Sequence, residues 1–400
     1  MNHEPKLGQH SAAVPGSILL LGAALILIAF NLRTPVTSMG PVLPDAAHGA
    51  GLSATGASLL TMMPSLCFGL FSPAAPRLSR HLRTERAILT ALVALALGTA
   101  LRGFGGSTGL FAGQILACGG IGVINVLLPS LIKRDFPHKV AFITGLYAMT
   151  MSVGAALAAG LTVPLEKHLG SWAFALAIWA VPAVIAALAW LPQLAVPAEA
   201  GAMRPMGRLG LWTNRLAWQV TLFMGLQSAL AYIVFGWLSP ILRDRGLSPV
   251  DAGLALSLSI IGQAVAALVV PPLAGLGRDQ RPAIAVLSLL CVGSLLCCLY
   301  APLGSVWVWV VLLGVAQGGL FPLALMVIVL RSPDAHVTRH LSSMAQGVGY
   351  ILASIGPLLA GLLHASMHSW TGVTVLFLGL GAAMLAAGLG AGRARHIQPG

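Results

Sequence analysis

The sequence predicts an all-α membrane protein of twelve transmembrane helices, arranged as two pseudo-symmetric six-helix bundles. Three observations predict it. Hydrophobic residues fill 57% of the 400 positions and charged residues only 8%, against about 25% charged in a soluble domain; mean hydropathy is +0.90. Apolar stretches long enough to cross a bilayer recur along the whole chain. The second half of the chain then repeats the first in spacing and in motif. So much apolar surface needs lipid as its solvent, and a helix satisfies its own backbone there.

The stretches lie at 17–44, 53–76, 85–104, 107–131, 138–163, 170–193, 213–242, 248–276, 282–302, 304–330, 337–364 and 369–391. Residues 1–16 form a polar tail with Lys6 as its one fixed cation. The apolar run from Ser17 to Phe30 is short enough for a signal-peptide core. It continues through Pro35 and Pro41 to Pro44 with no small-residue cleavage site directly after it, so a retained first helix is expected. Trp307, Trp309 and Trp370 fall near the ends of spans 10 and 12, where interfacial aromatics belong.

The loops orient the spans. Arg33 apart, Arg102, Lys167, Arg243 and Arg245 fall between alternate spans on one face. The remaining basic residues, from Lys6 to Arg395, fall on the other. That asymmetry predicts both termini in the cytoplasm. It also excludes nucleic-acid binding as the meaning of the +12 net charge, because the cations mark topology and form no stripe.

Cys67, Cys118, Cys291, Cys297 and Cys298 sit within apolar spans at no zinc spacing and read as packing residues. The ten acidic residues are expected in loops, tails and span ends, and the histidines likewise, with His364 nearest a span interior. A carboxylate-based proton relay is therefore not expected. No nucleophile–base pair or metal spacing stands out, so neither an enzyme nor a cofactor is implied.

Arg33 is the outlier. It stands inside the first span, where no other Lys, Arg, Asp or Glu is expected. A charge at the centre of a spanning helix costs about 3 kcal/mol even on lenient scales. A cation kept at that cost is expected to face a substrate path, with an anionic or strongly polar solute as its partner. The competing role is structural, a cation bonded to the carbonyls of a helix broken near Pro35.

The stretch 194–212, with Pro197, Gly201, Pro205 and Gly207, is the longest between spans. It is expected to be a cytoplasmic linker between bundles at 17–193 and 213–391, with 392–400 as a cytoplasmic tail. Ala117-Cys118-Gly119-Gly120 in span 4 answers Ala316-Gln317-Gly318-Gly319 in span 10. Ala159-Gly160-Leu161 answers Ala360-Gly361-Leu362, and the basic loop after span 2 answers Arg278-Asp279-Gln280-Arg281 after span 8. A six-plus-six repeat is the architecture of the major facilitator superfamily, whose substrates bind between the halves near the midplane.

Four segments then resemble one branch of it, the cyanate and 2-nitroimidazole transporter family (CynX/NimT-like). They are Asn31-Leu32-Arg33-Thr34-Pro35-Val36-Thr37-Ser38-Met39-Gly40-Pro41-Val42-Leu43-Pro44 in span 1, Gly119-Gly120-Ile121-Gly122-Val123-Ile124-Asn125 through Arg134 in span 4, Gly318-Gly319-Leu320-Phe321-Pro322-Leu323 in span 10 and Met344-Ala345-Gln346-Gly347-Val348-Gly349-Tyr350 in span 11. The chain departs from the family in placing Thr34 between Arg33 and Pro35, and in Asn125 where the family often has Gln. The resemblance implies a bacterial inner-membrane permease for cyanate-like anions or nitro-heterocycles, working by alternating access.

Candidate substrate contacts are Arg33, Asn31 and Thr37 in span 1, with Thr37 one turn from Arg33 on its face. Asn125 in span 4, Gln227, Tyr232 and Trp237 in span 7, and Gln346 and Tyr350 in span 11 complete the set. These polar groups should face the interior, as bonds between helices or as substrate contacts. Arg77, Glu85 and Arg86 after span 2, with Asp279 and Arg281 after span 8, are candidate cytoplasmic gate residues. The expected partners are a small polar or anionic solute and membrane lipid, and the chain is expected to be a monomer. A drug or metabolite efflux permease is the rival reading; a ligand-binding membrane sensor is a third.

Overall fold

The computed structural model describes residues 15–104, 106–136, 140–195, 210–333 and 335–397. Most of the expected linker and both tail ends lie outside these residues. Span 1 is three helices in series, α1 (Pro15–Asn31), α2 (Thr34–Thr37) and α3 (Met39–Gly49). Span 2 is α4 (Ala54–Phe71) continued by α5 (Ala75–Leu82); spans 3, 4 and 5 are α6 (Thr84–Leu101), α7 (Gly106–Asp135) and α8 (Val140–Leu169). Span 6 is α9 (Trp172–Ala177) and α10 (Ala180–Trp190). The second half supplies α11 (Arg215–Asp244), α12 (Pro249–Gly275), α13 (Arg281–Tyr300), α14 (Val306–Arg331), α15 (Ala335–Met367) and α16 (Thr371–Ala391). Twelve of the described stretches are long and apolar enough to cross a membrane.

Side-chain caps start several spans. Ser53 accepts from Gly56 N, Asn214 from Leu216 and Ala217 N, and Ser248 from Asp251 N just ahead of Pro249. Each satisfies donors that have no partner in the first turn, and proline there forfeits nothing.

Corresponding spans pack in corresponding ways. α7 lies against α4 and α6, and α14 lies against α12 and α13. Between the bundles α15 packs on α4, and α12 packs on α8, an arrangement that exchanging the halves preserves. Close approach depends on glycine where the first bundle meets the second: a side chain on Gly40 of α3 would strike the Phe235 carbonyl of α11.

Two charges depart from the expected placement. Arg102, expected in an aqueous connection, is 1% exposed and lies between spans 3, 4 and 6. Glu85, expected at a span end as a candidate gate residue, is 6% exposed at the start of α6 and pairs with Arg134 of α7 at 2.8 Å. In both cases the apolar run ends before the buried zone does, because a guanidinium or carboxylate with fixed partners needs no water.

Candidate functional site

Span 1 breaks at Leu32 and Arg33 because Pro35 has no N–H to continue the ladder, and it restarts with Pro35 in the first turn of α2. The hydroxyl of Thr34 returns to the Phe30 carbonyl at 2.7 Å, patching the interruption. Arg33 leaves the chain at this break and reaches into the seam between bundles.

Its guanidinium carbon lies 5.3 Å from the ring centre of Phe235 in α11 and 5.8 Å from that of Phe321 in α14. Both rings belong to the opposite bundle. Cation–ring contacts of this kind contribute about 0.5–2 kcal/mol, the more so when dry. Among the described residues no carboxylate pairs with Arg33.

Tyrosines complete the surroundings. The protein has four, and three of them, Tyr147, Tyr232 and Tyr350, lie within electrostatic range of Arg33. Tyr147 of α8 donates to Asn125 Oδ1 of α7 at 3.3 Å. Tyr232 and Tyr350 meet edge to face at 6.4 Å, and both meet Phe68 of α4, at 6.2 and 6.1 Å. The result is one unpaired cation among ring faces, with hydroxyls and an amide from both bundles. Chemically it suits a compact, electron-rich, planar or anionic solute.

The other candidates are placed as follows. Asn31 is 1% exposed and donates to the carbonyls of Leu27 and Pro182, so it faces span 6. Thr37 donates to Ala155 O of α8 at 2.9 Å and contacts Arg33 O at 3.2 Å. Gln227 donates to Ser228 Oγ and Met224 O, and Gln346 to Ser342 Oγ. Trp237 donates to Pro357 O and meets Trp370 edge to face. The surroundings of Arg33 therefore include Tyr232 and Tyr350, with Asn125 joined through Tyr147, while bonds of Asn31, Thr37 and Trp237 run between helices.

The candidate gate residues separate. Arg77 and Arg86 are exposed. Glu85 pairs within the first bundle with Arg134. Asp279 pairs with Arg281 at 2.7 Å, and hydrogen bonds from Arg281 hold its carboxyl below the usual carboxylate range. A bridge between bundles occurs instead at the opposite face, which carries the connections between spans 1 and 2 and between spans 7 and 8. There Arg243 of α11 meets Asp45 of α3 at 2.7 Å.

Sequence reasoning missed Phe68, Phe235, Phe321 and Tyr147. A phenylalanine in an apolar span carries no distinguishing signal, whereas the scarcity of tyrosine, four in the chain, is a signal that points to Tyr147. It also missed the division of labour among arginines. Arg102 donates to the Pro35 carbonyl at 2.9 Å, which is the structural role considered for Arg33. Arg245 caps the end of α13 through Cys298 O and Ala301 O. Arg331 caps α16 through Ala391 O and Gly392 O. Backbone carbonyls engage those three guanidiniums; among the described residues Arg33 makes no such bond.

Two cavities bear on access. A void between Val36, Leu60, Tyr232 and Phe235 holds only about 10 Å³. A larger one, about 510 Å³, opens at the face of the Asp45–Arg243 bridge beside Trp237, Asp244, His364 and Trp370, and shares no residue with the Arg33 cluster.

Comparison with known proteins decides the family. Residues 19–241 and 220–396 each match the family described as Major Facilitator Superfamily. The chain belongs to the major facilitator superfamily. It is 39% identical to the uncharacterized transporter YycB of Bacillus subtilis, over 97% of this chain and 96% of that one. It is 37% identical to the 2-nitroimidazole transporter of Escherichia coli, over 95% and 97%. It is 30% identical to the Escherichia coli cyanate transport protein CynX, over 85% and 89%. The fold matches that of a D-xylose–proton symporter with a TM-score of 0.74 at 14% identity, over 93% of this chain and 97% of that one. This superfamily member is thus a multi-pass membrane transporter, not an enzyme.

Proposed function

We propose that this superfamily member moves a small anionic or polar solute, of the cyanate-like or nitro-heterocycle class, by alternating access across a bacterial inner membrane, with both termini cytoplasmic. The observation that carries the reading is the position of Arg33: in the seam between bundles, unpaired, and flanked by Phe235 and Phe321 of the other half. A cation so placed attracts the negative end of a solute, and a guanidinium matches a planar two-oxygen group in a way an ammonium does not. The rings of Phe235, Phe321, Tyr232 and Tyr350 suit the flat face of a heterocycle. Relatives named for 2-nitroimidazole and cyanate support the same chemistry.

The test is thermal stabilisation of the purified protein by cyanate, 2-nitroimidazole and tetraphenylphosphonium, with Arg33→Ala in parallel. A ligand that binds the native state stabilises it by mass action, by about 2.7 kcal/mol at a hundredfold excess over Kd, and so raises its melting temperature. Stabilisation by cyanate or 2-nitroimidazole that disappears in Arg33→Ala is the expected result. Stabilisation by the lipophilic cation alone would overturn the reading in favour of drug efflux.

A further inference from the structure

Arg102 lies at the end of α6 and reaches three other spans. Nη1 donates to the Pro35 carbonyl of span 1 at 2.9 Å and lies 3.3 Å from Gln114 Oε1 of α7 and 3.5 Å from Ser38 Oγ. Nη2 donates to the Leu176 carbonyl of span 6 at 3.3 Å. Both recipient segments lie where a helix is interrupted. Span 1 breaks between Asn31 and Thr34 and again at Ser38, so Pro35 sits in the short helix between the two breaks, and span 6 breaks between Ala177 and Ala180. Asn31 ties the same two spans a second time through the Pro182 carbonyl.

A break leaves carbonyls without their usual donors, and in lipid each must find one inside the protein. One planar guanidinium answers both breaks because its donors diverge at fixed angles, which a lysine ammonium on a flexible stem does not reproduce. The cost is visible: among the described residues Arg102 is buried without a carboxylate, and its Nε finds no partner. A charge retained at that cost calls for a role beyond filling space.

We propose that Arg102 is a positioning residue for Arg33. By clamping the Pro35 carbonyl against span 6, it sets where span 1 restarts, and therefore where Arg33, two residues before Pro35, projects into the seam. The inference rests on the substrate role proposed for Arg33, but the clamp has consequences of its own.

The experiment uses the full-length protein in detergent, with Arg102→Lys and, as a milder variant, Gln114→Leu. Hydrogen exchange is followed without ligand, and 2-nitroimidazole affinity is measured with Arg33 intact and in Arg33→Ala. The expected result is exchange about tenfold faster in peptides covering 32–38 and 176–182, with the other spans unchanged and a smaller effect in Gln114→Leu. Affinity should fall about tenfold in Arg102→Lys with Arg33 intact and fall no further when added to Arg33→Ala, since both act through one guanidinium. Unchanged exchange in both segments would overturn the clamp. An equal loss of affinity in the two backgrounds would overturn action through Arg33 and leave a merely structural arginine. Undiminished binding by Arg33→Ala alone would instead bring down the substrate role, a failure separate from the exchange result.

Discussion

The Arg243 guanidinium of α11 stands 2.7 Å from the Asp45 carboxylate of α3 and also contacts the Pro41 carbonyl at 3.3 Å. This bridge joins the first span of one bundle to the first span of the other. In the same half of the interface Ser257 of α12 donates to Ala156 O of α8, and Gly361 of α15 packs on Ser58 of α4. The contacts hold one face together, and the alternating access proposed above requires them to part when that face opens.

Asp45→Asn should therefore shift the conformational balance toward opening at this face. The pair is partly exposed, so its loss is worth about 0.2–1 kcal/mol, up to about a fivefold change in population. Spin labels at His48 and Met367, on a background lacking the five native cysteines, would show a larger long-distance fraction. The double exchange Asp45→Arg with Arg243→Asp should return the distribution toward the original, and an unchanged distribution in Asp45→Asn would deny the bridge any gating role.

Phe235→Leu keeps most of the apolar volume but removes the ring face over which Arg33 sits. The cation–ring contact contributes about 1 kcal/mol, so affinity for the stabilising solute should fall about fivefold. Leucine at Phe68 removes a ring that touches Tyr232 and Tyr350 rather than the cation, and should weaken binding less. Isothermal titration of both variants checks the order; an equal or reversed order would argue against a direct Arg33–Phe235 contact.

Tyr147→Phe deletes the hydroxyl that reaches Asn125. The amide then loses a partner, at a cost of about 1 kcal/mol. Affinity should drop several-fold with the melting temperature of the unliganded protein nearly unchanged. A large fall in melting temperature at constant affinity would make the pair a bond between α7 and α8 alone.

Arg331→Met should do the opposite. Its guanidinium holds Ala391 O, Gly392 O and Gln280 Oε1 at the end of α16, all within the second half. Leaving buried acceptors without donors costs about 1–3 kcal/mol. The melting temperature should fall while affinity stays within about twofold of wild type. A matched loss of affinity would show that the end of α16 is coupled to the site.

Much of this architecture was legible because lipid restricts the choices. The apolar runs marked all twelve spans, and the repeated Ala-x-Gly-Gly and Ala-Gly-Leu motifs marked the two halves. Arg33 was legible as a lone charge in an apolar run, and Tyr232, Tyr350 and Asn125 as polar groups inside spans. Arg102 was not, because Arg102-Gly103-Phe104-Gly105-Gly106 reads as a loop; only the approach of α7 and span 6 makes it interior. The break in span 6 was equally hidden, since Pro182 lies beyond it. The basic loops, where charge is densest, carry pairs within a bundle, whereas the bundles meet through one acid and one base, Asp45 and Arg243, at the end of their first spans.

The most direct measurement is solute uptake into proteoliposomes by wild type, Arg33→Ala and Arg33→Lys, reconstituted at equal amounts and with matched melting temperatures. A charge-assisted contact contributes about 1.5–3 kcal/mol. Arg33→Ala should therefore lower uptake of cyanate or 2-nitroimidazole by at least about tenfold, and Arg33→Lys should fall between it and wild type. Uptake by Arg33→Ala equal to that of the wild type would contradict the account, because the unpaired cation in the seam would then have no part in carrying the solute.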